Sequence, residues 1–175
     1  MKRIPLTIAS FIAGVLFLPL ALYFYLAFGG PPVATADTPF PLEAKIVRIP
    51  LQARIHREMP EGSPIPASEN NLNAGAGIYE DKCEVCHGTA DEPSAIGYKM
   101  FPRAPQLWVK KQSGVVGVSD DPVGETYWKF KNGIRLSGMP AYGKALSETQ
   151  MWQVGLLLSM ANKPLPAEAA KTVGQ

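Results

Sequence analysis

The sequence predicts an all-α protein, with one apolar helix at the N-terminus followed by a small helical domain. Three observations carry this. Leu6 to Phe28 runs without a single charge. Apolar residues then recur at helical intervals in several segments, whereas no run of alternating residues argues for a sheet. Finally, Cys83-Glu84-Val85-Cys86-His87 gathers the only two cysteines of the 175-residue chain beside an imidazole.

The N-terminal stretch is long enough to cross a bilayer, which takes about 20 apolar residues. Pro5 stands near its start and Pro19 inside it, and membrane helices tolerate such prolines. Lys2 and Arg3 precede the stretch, and the next charge is Asp37. The positive-inside rule therefore leaves the N-terminus in the cytoplasm and exports the rest. Tyr23 and Tyr25 suit the far interface. A cleaved signal peptide is the rival, with Ala34-Thr35-Ala36 as its cleavage site, but the apolar run exceeds the roughly 7–15 residues of a signal core. Both readings put residues 37–175 on the outer side.

Seventeen basic residues face fifteen acidic ones, and Lys2 with Arg3 account for the whole excess of +2. No basic tract remains to bind nucleic acid. Seventeen prolines and sixteen glycines imply long irregular stretches, as expected where a cofactor replaces part of a core.

Cys-x-x-Cys-His is the attachment signature of a c-type haem. Two thiols at this spacing can form thioethers to the two vinyl groups of one porphyrin, and the following His87 can ligate the iron. A thioredoxin-like couple wants a helix starting at the first cysteine, but here helical sequence precedes Cys83. A zinc site wants three or four protein ligands, and only His56 and His87 accompany the two thiols. A simple structural disulfide is the remaining alternative. In bacteria, c-type haem is attached on the outer side of the inner membrane, which agrees with the topology above.

Along the exported part, Gly29 to Pro41 reads as an extended linker. Leu42, Ile46, Ile49 and Ala53 then recur at helical intervals, with Pro50 as an interruption and Lys45, Arg48, Arg54 and Arg57 on the polar side. This predicts a short amphipathic helix, or two helical turns, read first as a spacer packed on the domain and second as a docking segment for a partner subunit or lipid. Glu61 to Asn71 is a further loop. Asn70 or Asn71 is the expected cap of a helix from about Leu72 to Val85, and Gly75 and Gly77 inside it suggest a close helix crossing. Asp120 or Asp121 is the expected cap of a short helix leading to Trp128 and Phe130. Ser147 and Gln150 form a capping-box pattern opening a last helix that ends near Asn162. The segments are thus an anchor over 1–30, a linker over 31–70, a haem domain over 71–163 and a tail over 164–175.

The iron's sixth ligand sets function, and the candidates are His56, Met59, Met100, Met139, Met151 and Met160. Gly138 and Pro140 fix a tight loop around Met139, which favours it. Met151 and Met160 read as core residues, Met100 as a loop contact and His56 as a surface residue.

Residues 71–162 resemble the class I c-type cytochromes, small all-helical monohaem electron carriers with His/Met ligation. The resemblance rests on Gly75 and Tyr79 before Cys-x-x-Cys-His-Gly, on the Asn132-Gly133…Gly138-Met139-Pro140 loop, and on Trp152 in the last helix. It implies a cytochrome c fold behind a transmembrane helix and iron ligation by His87 and Met139. It also implies a first-to-last helix crossing at Gly75 with Tyr79 paired with Trp152 beside it, and a proline carbonyl accepting from the proximal histidine. Pro105 is the expected residue, with Pro102 nearby. Leu157 stands where many relatives carry an aromatic. Trp108, Tyr127, Trp128 and Tyr142 are candidates to line the haem, and Arg103 and Arg135 to pair with its propionates, though core or solvated roles suffice for each.

With both axial positions filled, the chemistry left is one-electron exchange, and a thioether ligand favours ferrous iron. The expected function is therefore a membrane-anchored, periplasmic monohaem cytochrome c passing electrons between protein partners. It would be no enzyme by itself but open to a place in a respiratory or dehydrogenase complex. The alternatives are a haem-based ligand sensor, in which Met139 leaves the iron, and a cytochrome subunit of a peroxidase-like enzyme, for which the domain offers no second histidine.

Overall fold

The computed structural model describes residues 6–175. Lys2, Arg3 and Pro5, on which the topology reading draws, lie outside them. The regular elements among the described residues are all helices, with one isolated bridge between Lys110 and Val116. The chain forms two units, one ending at Pro41 and the other spanning Leu42–Gln175.

The first unit is built on α1 (Leu6–Phe28), which continues through Pro19. Thr7–Phe28 has a mean hydropathy of 2.2 and is the one described helix long and apolar enough to cross a membrane. Beyond it the Asp37 carboxylate accepts from the backbone N–H groups of Val33 and Ala34, both at 2.8 Å. These two bonds hold its pKa below the usual carboxylate value.

The second unit opens with α2 (Glu43–Glu58), a single helix despite Pro50. Proline removes one i to i−4 bond, and its orphan is the carbonyl of Ile46, a residue 61% exposed that water can reach. The packing differs from the expected pattern. The Leu42/Ile46/Ile49/Ala53 strip faces solvent, while Ile55, fully buried, seats the helix on the domain. Glu58 Oε2 accepts from Trp128 Nε1 at 3.0 Å, Arg54 pairs with Glu58 at 2.9 Å, and the Arg54 guanidinium lies 5.9 Å from the Trp128 ring centre.

The core forms where α3 (Glu69–Lys82) crosses α6 (Glu148–Ser159). Ser68, not Asn70 or Asn71, caps α3: its hydroxyl accepts from Asn71 N–H, while the Asn71 side chain donates back to the Pro66 carbonyl at 2.9 Å. The crossing is at Gly75. A Cβ there would drive into the Gln153 carbonyl and touch Leu157, whereas one at Gly77 would meet nothing. Only Gly75 is therefore required by packing.

The aromatic pairing also differs from expectation. Tyr79 meets Trp108 edge-on at 5.6 Å, and Trp152 stacks on Tyr127 at 4.0 Å. Leu157, fully buried, occupies the space beside Gly75.

Around this pair, α5 (Val123–Asn132) packs on α6 and contributes Tyr127 and Phe130 to the core. No side chain caps α5, for Asp121 pairs instead with Lys129 at 3.1 Å, beside Glu125 at 2.6 Å. The capping box at Ser147 and Gln150 is formed.

The last twelve residues, expected as a tail, hold α7 (Ala167–Thr172) against α3. Ala169 and Val173 are fully buried. Asn73 donates to Glu168 at 2.8 Å and accepts from Ala169 N–H at 3.2 Å.

Candidate haem site

Helix α3 ends at Lys82 rather than running on to Val85, because Cys83 closes it and a new short turn, α4 (Glu84–His87), begins at once. His87 N–H and Cys86 N–H both bond the Cys83 carbonyl, at 2.9 and 3.1 Å. Five residues are thereby folded into one compact turn that presents two thiols and an imidazole together. Gly88 follows with φ 65°. A Cβ there would run into Ser94, Glu92 and Gln106, so a loop closes tightly behind the motif. The buried Tyr79 hydroxyl locks the turn from beneath by donating to the Gly88 carbonyl at 2.6 Å.

The loop over residues 94–107 is fastened to the motif bond by bond. Ser94 Oγ donates to the Val85 carbonyl at 2.6 Å. Gln106 Oε1 accepts from Ser94 N–H at 2.6 Å, and its Nε2 donates to the Cys86 carbonyl at 3.3 Å. Leu107 N–H bonds the His87 carbonyl at 3.3 Å. This fastening sets Pro105 against the histidine, its carbonyl oxygen 2.7 Å from His87 Nδ1. A carbonyl only accepts, so Nδ1 carries the proton and the Nε2 lone pair is left free. Burial lowers the His87 pKa, with the Pro105 bond opposing it less strongly. The ring is therefore held neutral, the form a metal requires.

The two thiols are not joined in a disulfide. Burial, and secondarily the neighbouring Cys86, pushes the Cys83 thiol up to about 12. A redox-active cysteine pair needs a lowered pKa, so this environment disfavours the thioredoxin-like reading. Among the described residues no group of three His, Cys, Asp or Glu side chains gathers to hold a metal ion, which disfavours the zinc reading, since such a site wants three or four ligands.

Met139 lies in a loop of defined shape, half-buried against the core. Its N–H donates to Ser137 Oγ at 3.2 Å, and its carbonyl accepts from Ile134 N–H at 3.2 Å. Gly133 has φ 66°, and a Cβ there would strike the chain at 139–141. Met100 packs its methyl group against Gly138, so the loop after His87 and the methionine loop touch. Tyr142 completes the tie. Its ring stacks on Phe130 at 4.5 Å, and its hydroxyl donates to the Lys82 carbonyl at 2.9 Å, next to Cys83. Burial is the main cause that raises the Tyr142 pKa, and the adjacent Cys83 and Cys86 add to it. The methionine loop is thus joined to the cysteine motif through Tyr142.

His56 is exposed on α2, and Met151 is buried in the core. Arg103 and Arg135 are exposed and form no ion pair among the described residues. Trp108 is buried in the core with its ring edge-on to Tyr79. Tyr142, a candidate to line the haem, spends its hydroxyl on the Lys82 carbonyl, and Gln106 and Ser94 are not marked in the sequence, because each acts through backbone groups distant in the chain.

These residues fit haem c. The motif supplies two unpaired thiols and an imidazole whose Nε2 is free, the donor set haem c requires. The comparison with known families agrees. Residues 70–156 match the family described as cytochrome c oxidase, cbb3-type, subunit III. No curated protein matches the chain. Residues 70–156 are a c-type cytochrome domain, in keeping with the class I resemblance, and such a domain implies haem c with its iron.

Proposed function

We propose that this chain is a membrane-anchored monohaem cytochrome c that carries single electrons between protein partners on the periplasmic side of a bacterial inner membrane. Cys83 and Cys86 would hold the haem covalently, and His87 and Met139 would ligate its iron. When bound, the haem supplies reversible one-electron exchange. The chain's own residues do the rest. Pro105 orients His87 and raises its basicity through the Nδ1 bond. Tyr142 and Ser137 restrain the methionine loop, so that ligation changes little between redox states.

The observation that carries this reading is the 2.7 Å contact of His87 Nδ1 with Pro105 inside the Cys-x-x-Cys-His turn. Anchoring is supported by the length and hydropathy of α1, and orientation by Lys2 and Arg3 under the positive-inside rule. The matched family is named for an oxidase subunit, which supports a place in a respiratory complex, with the chain as its electron-relay part.

Solubilised membranes test this. The haem-loaded chain should co-purify with redox partners, and its haem should be reduced and reoxidised as they turn over. A haem that stays in one oxidation state throughout turnover would contradict the relay.

A further inference from the structure

Helix α2 carries two apolar faces, and only one is used by the domain. At about 100° per residue, Ile46, Ile49 and Ala53 fall within about 60° of one another, with Leu42 just ahead of them in the chain. Leu51 and Ile55 lie on the opposite side of the helix. Ile55 is fully buried on the domain, whereas Leu42, Ile46 and Ile49 are 63, 61 and 69% exposed. By the same spacing Lys45 borders the exposed strip on one side and Arg57 on the other, both within about 80° of its midline. Arg54 is engaged by Glu58 and Trp128 and Arg48 falls on the Ile55 side by the same spacing, which leaves Lys45 and Arg57 as the cations beside the strip.

We propose that this strip is a bilayer-surface contact: α2 lies on anionic lipid headgroups with Leu42, Ile46, Ile49 and Ala53 turned into the interface. An apolar stripe bordered by lysine and arginine is the pattern of an interfacial helix, the cations reaching phosphates while their stems and the stripe sit deeper. Chain length favours lipid as the occupant. Residues 29–42 separate α1 from α2 and reach at most about 50 Å fully extended, so a spanning α1 holds α2 near that same surface at high effective concentration. Ile55 and the Glu58–Trp128 bond then make α2 a rigid foot for the haem domain. This inference rests on the anchoring proposed for α1.

The test uses the full haem-loaded chain carrying Ile49→Cys or, as the control facing away from the strip, Val47→Cys. Each is spin-labelled and reconstituted into vesicles of three parts phosphatidylcholine to one part phosphatidylglycerol. The label at position 49 should collide several-fold less often with an aqueous nickel chelate than the label at 47, and more often with oxygen. Lys45→Glu with Arg57→Glu should abolish the difference. Equal nickel access at both positions, in a chain that stays with the vesicles after an alkaline wash, would overturn the proposal and spare the anchor. Release by the wash would overturn both. Protection present in native membranes but absent from vesicles of the purified chain would assign the strip to a protein subunit and overturn the lipid contact.

Discussion

The Pro105 carbonyl oxygen sits 2.7 Å from His87 Nδ1, and that single contact fixes the proton on one ring nitrogen and frees the other. The proline carbonyl cannot be removed by changing a side chain, but the loop that positions it can be loosened. Gln106→Ala deletes the bonds to Ser94 and Cys86 and strands a part-buried backbone donor. We expect a loss of about 1–3 kcal/mol in urea unfolding of the haem-loaded protein, with faster amide exchange over residues 94–107. Unchanged exchange there would show that Gln106 does not hold the loop.

The two glycines of α3 separate packing from propensity. Gly75→Ala pushes a methyl into the Gln153 carbonyl, an overpacking that costs about 1–3 kcal/mol or more. Gly77→Ala meets open space and should stabilise by up to about 1 kcal/mol through helix propensity. Thermal unfolding of the two variants should therefore move in opposite directions.

Both glycines are conspicuous in the sequence, and it does not tell them apart, since the difference lies in which side of α3 meets α6. The Cys-x-x-Cys-His turn, the capping box of α6 and the tight loop at Met139 are legible because each is a local pattern. Three features are not. Trp108 displaces Trp152 as the neighbour of Tyr79 through a loop contact. Residues 164–175 read as a tail but bury Ala169 and Val173, two apolar side chains too few and too short to mark a helical stripe. The apolar face of α2 predicts a contact with the domain, whereas Ile55 on the other side makes it.

Tyr142 links the methionine loop to the cysteine motif. Tyr142→Phe keeps the stack on Phe130 and loses the bond to the Lys82 carbonyl. Stability should fall by about 0.5–1.5 kcal/mol. The sulfur-to-ferric-iron charge-transfer band should also vanish at a lower temperature than in the parent, well before global unfolding. Loss of the band together with global unfolding, as in the parent, would show that Tyr142 serves general packing alone.

The α2 attachment should depend on pH. The Arg54 side chain, then the Trp128 indole, lowers the Glu58 pKa from its ordinary value of 4.5. A carboxylate with a depressed folded pKa contributes stability that is present above the unfolded value and lost as pH falls through the folded one. Protection of the amides of residues 51–58, relative to their intrinsic exchange rates, should fall as pH drops below 4.5, and Glu58→Gln should show reduced protection at neutral pH with a flatter acid response. Identical pH profiles in parent and variant would remove Glu58 from the attachment.

The central claim is that one haem, bound through Cys83 and Cys86, is ligated by His87 and Met139. The far-red absorption of the purified oxidised protein tests it most directly. A low-spin, six-coordinate ferric spectrum with a sulfur-to-iron band, abolished by Met139→Ala and kept in Met100→Ala, is the predicted result. A colourless protein, a five-coordinate ferric iron, or a band that survives Met139→Ala would contradict it.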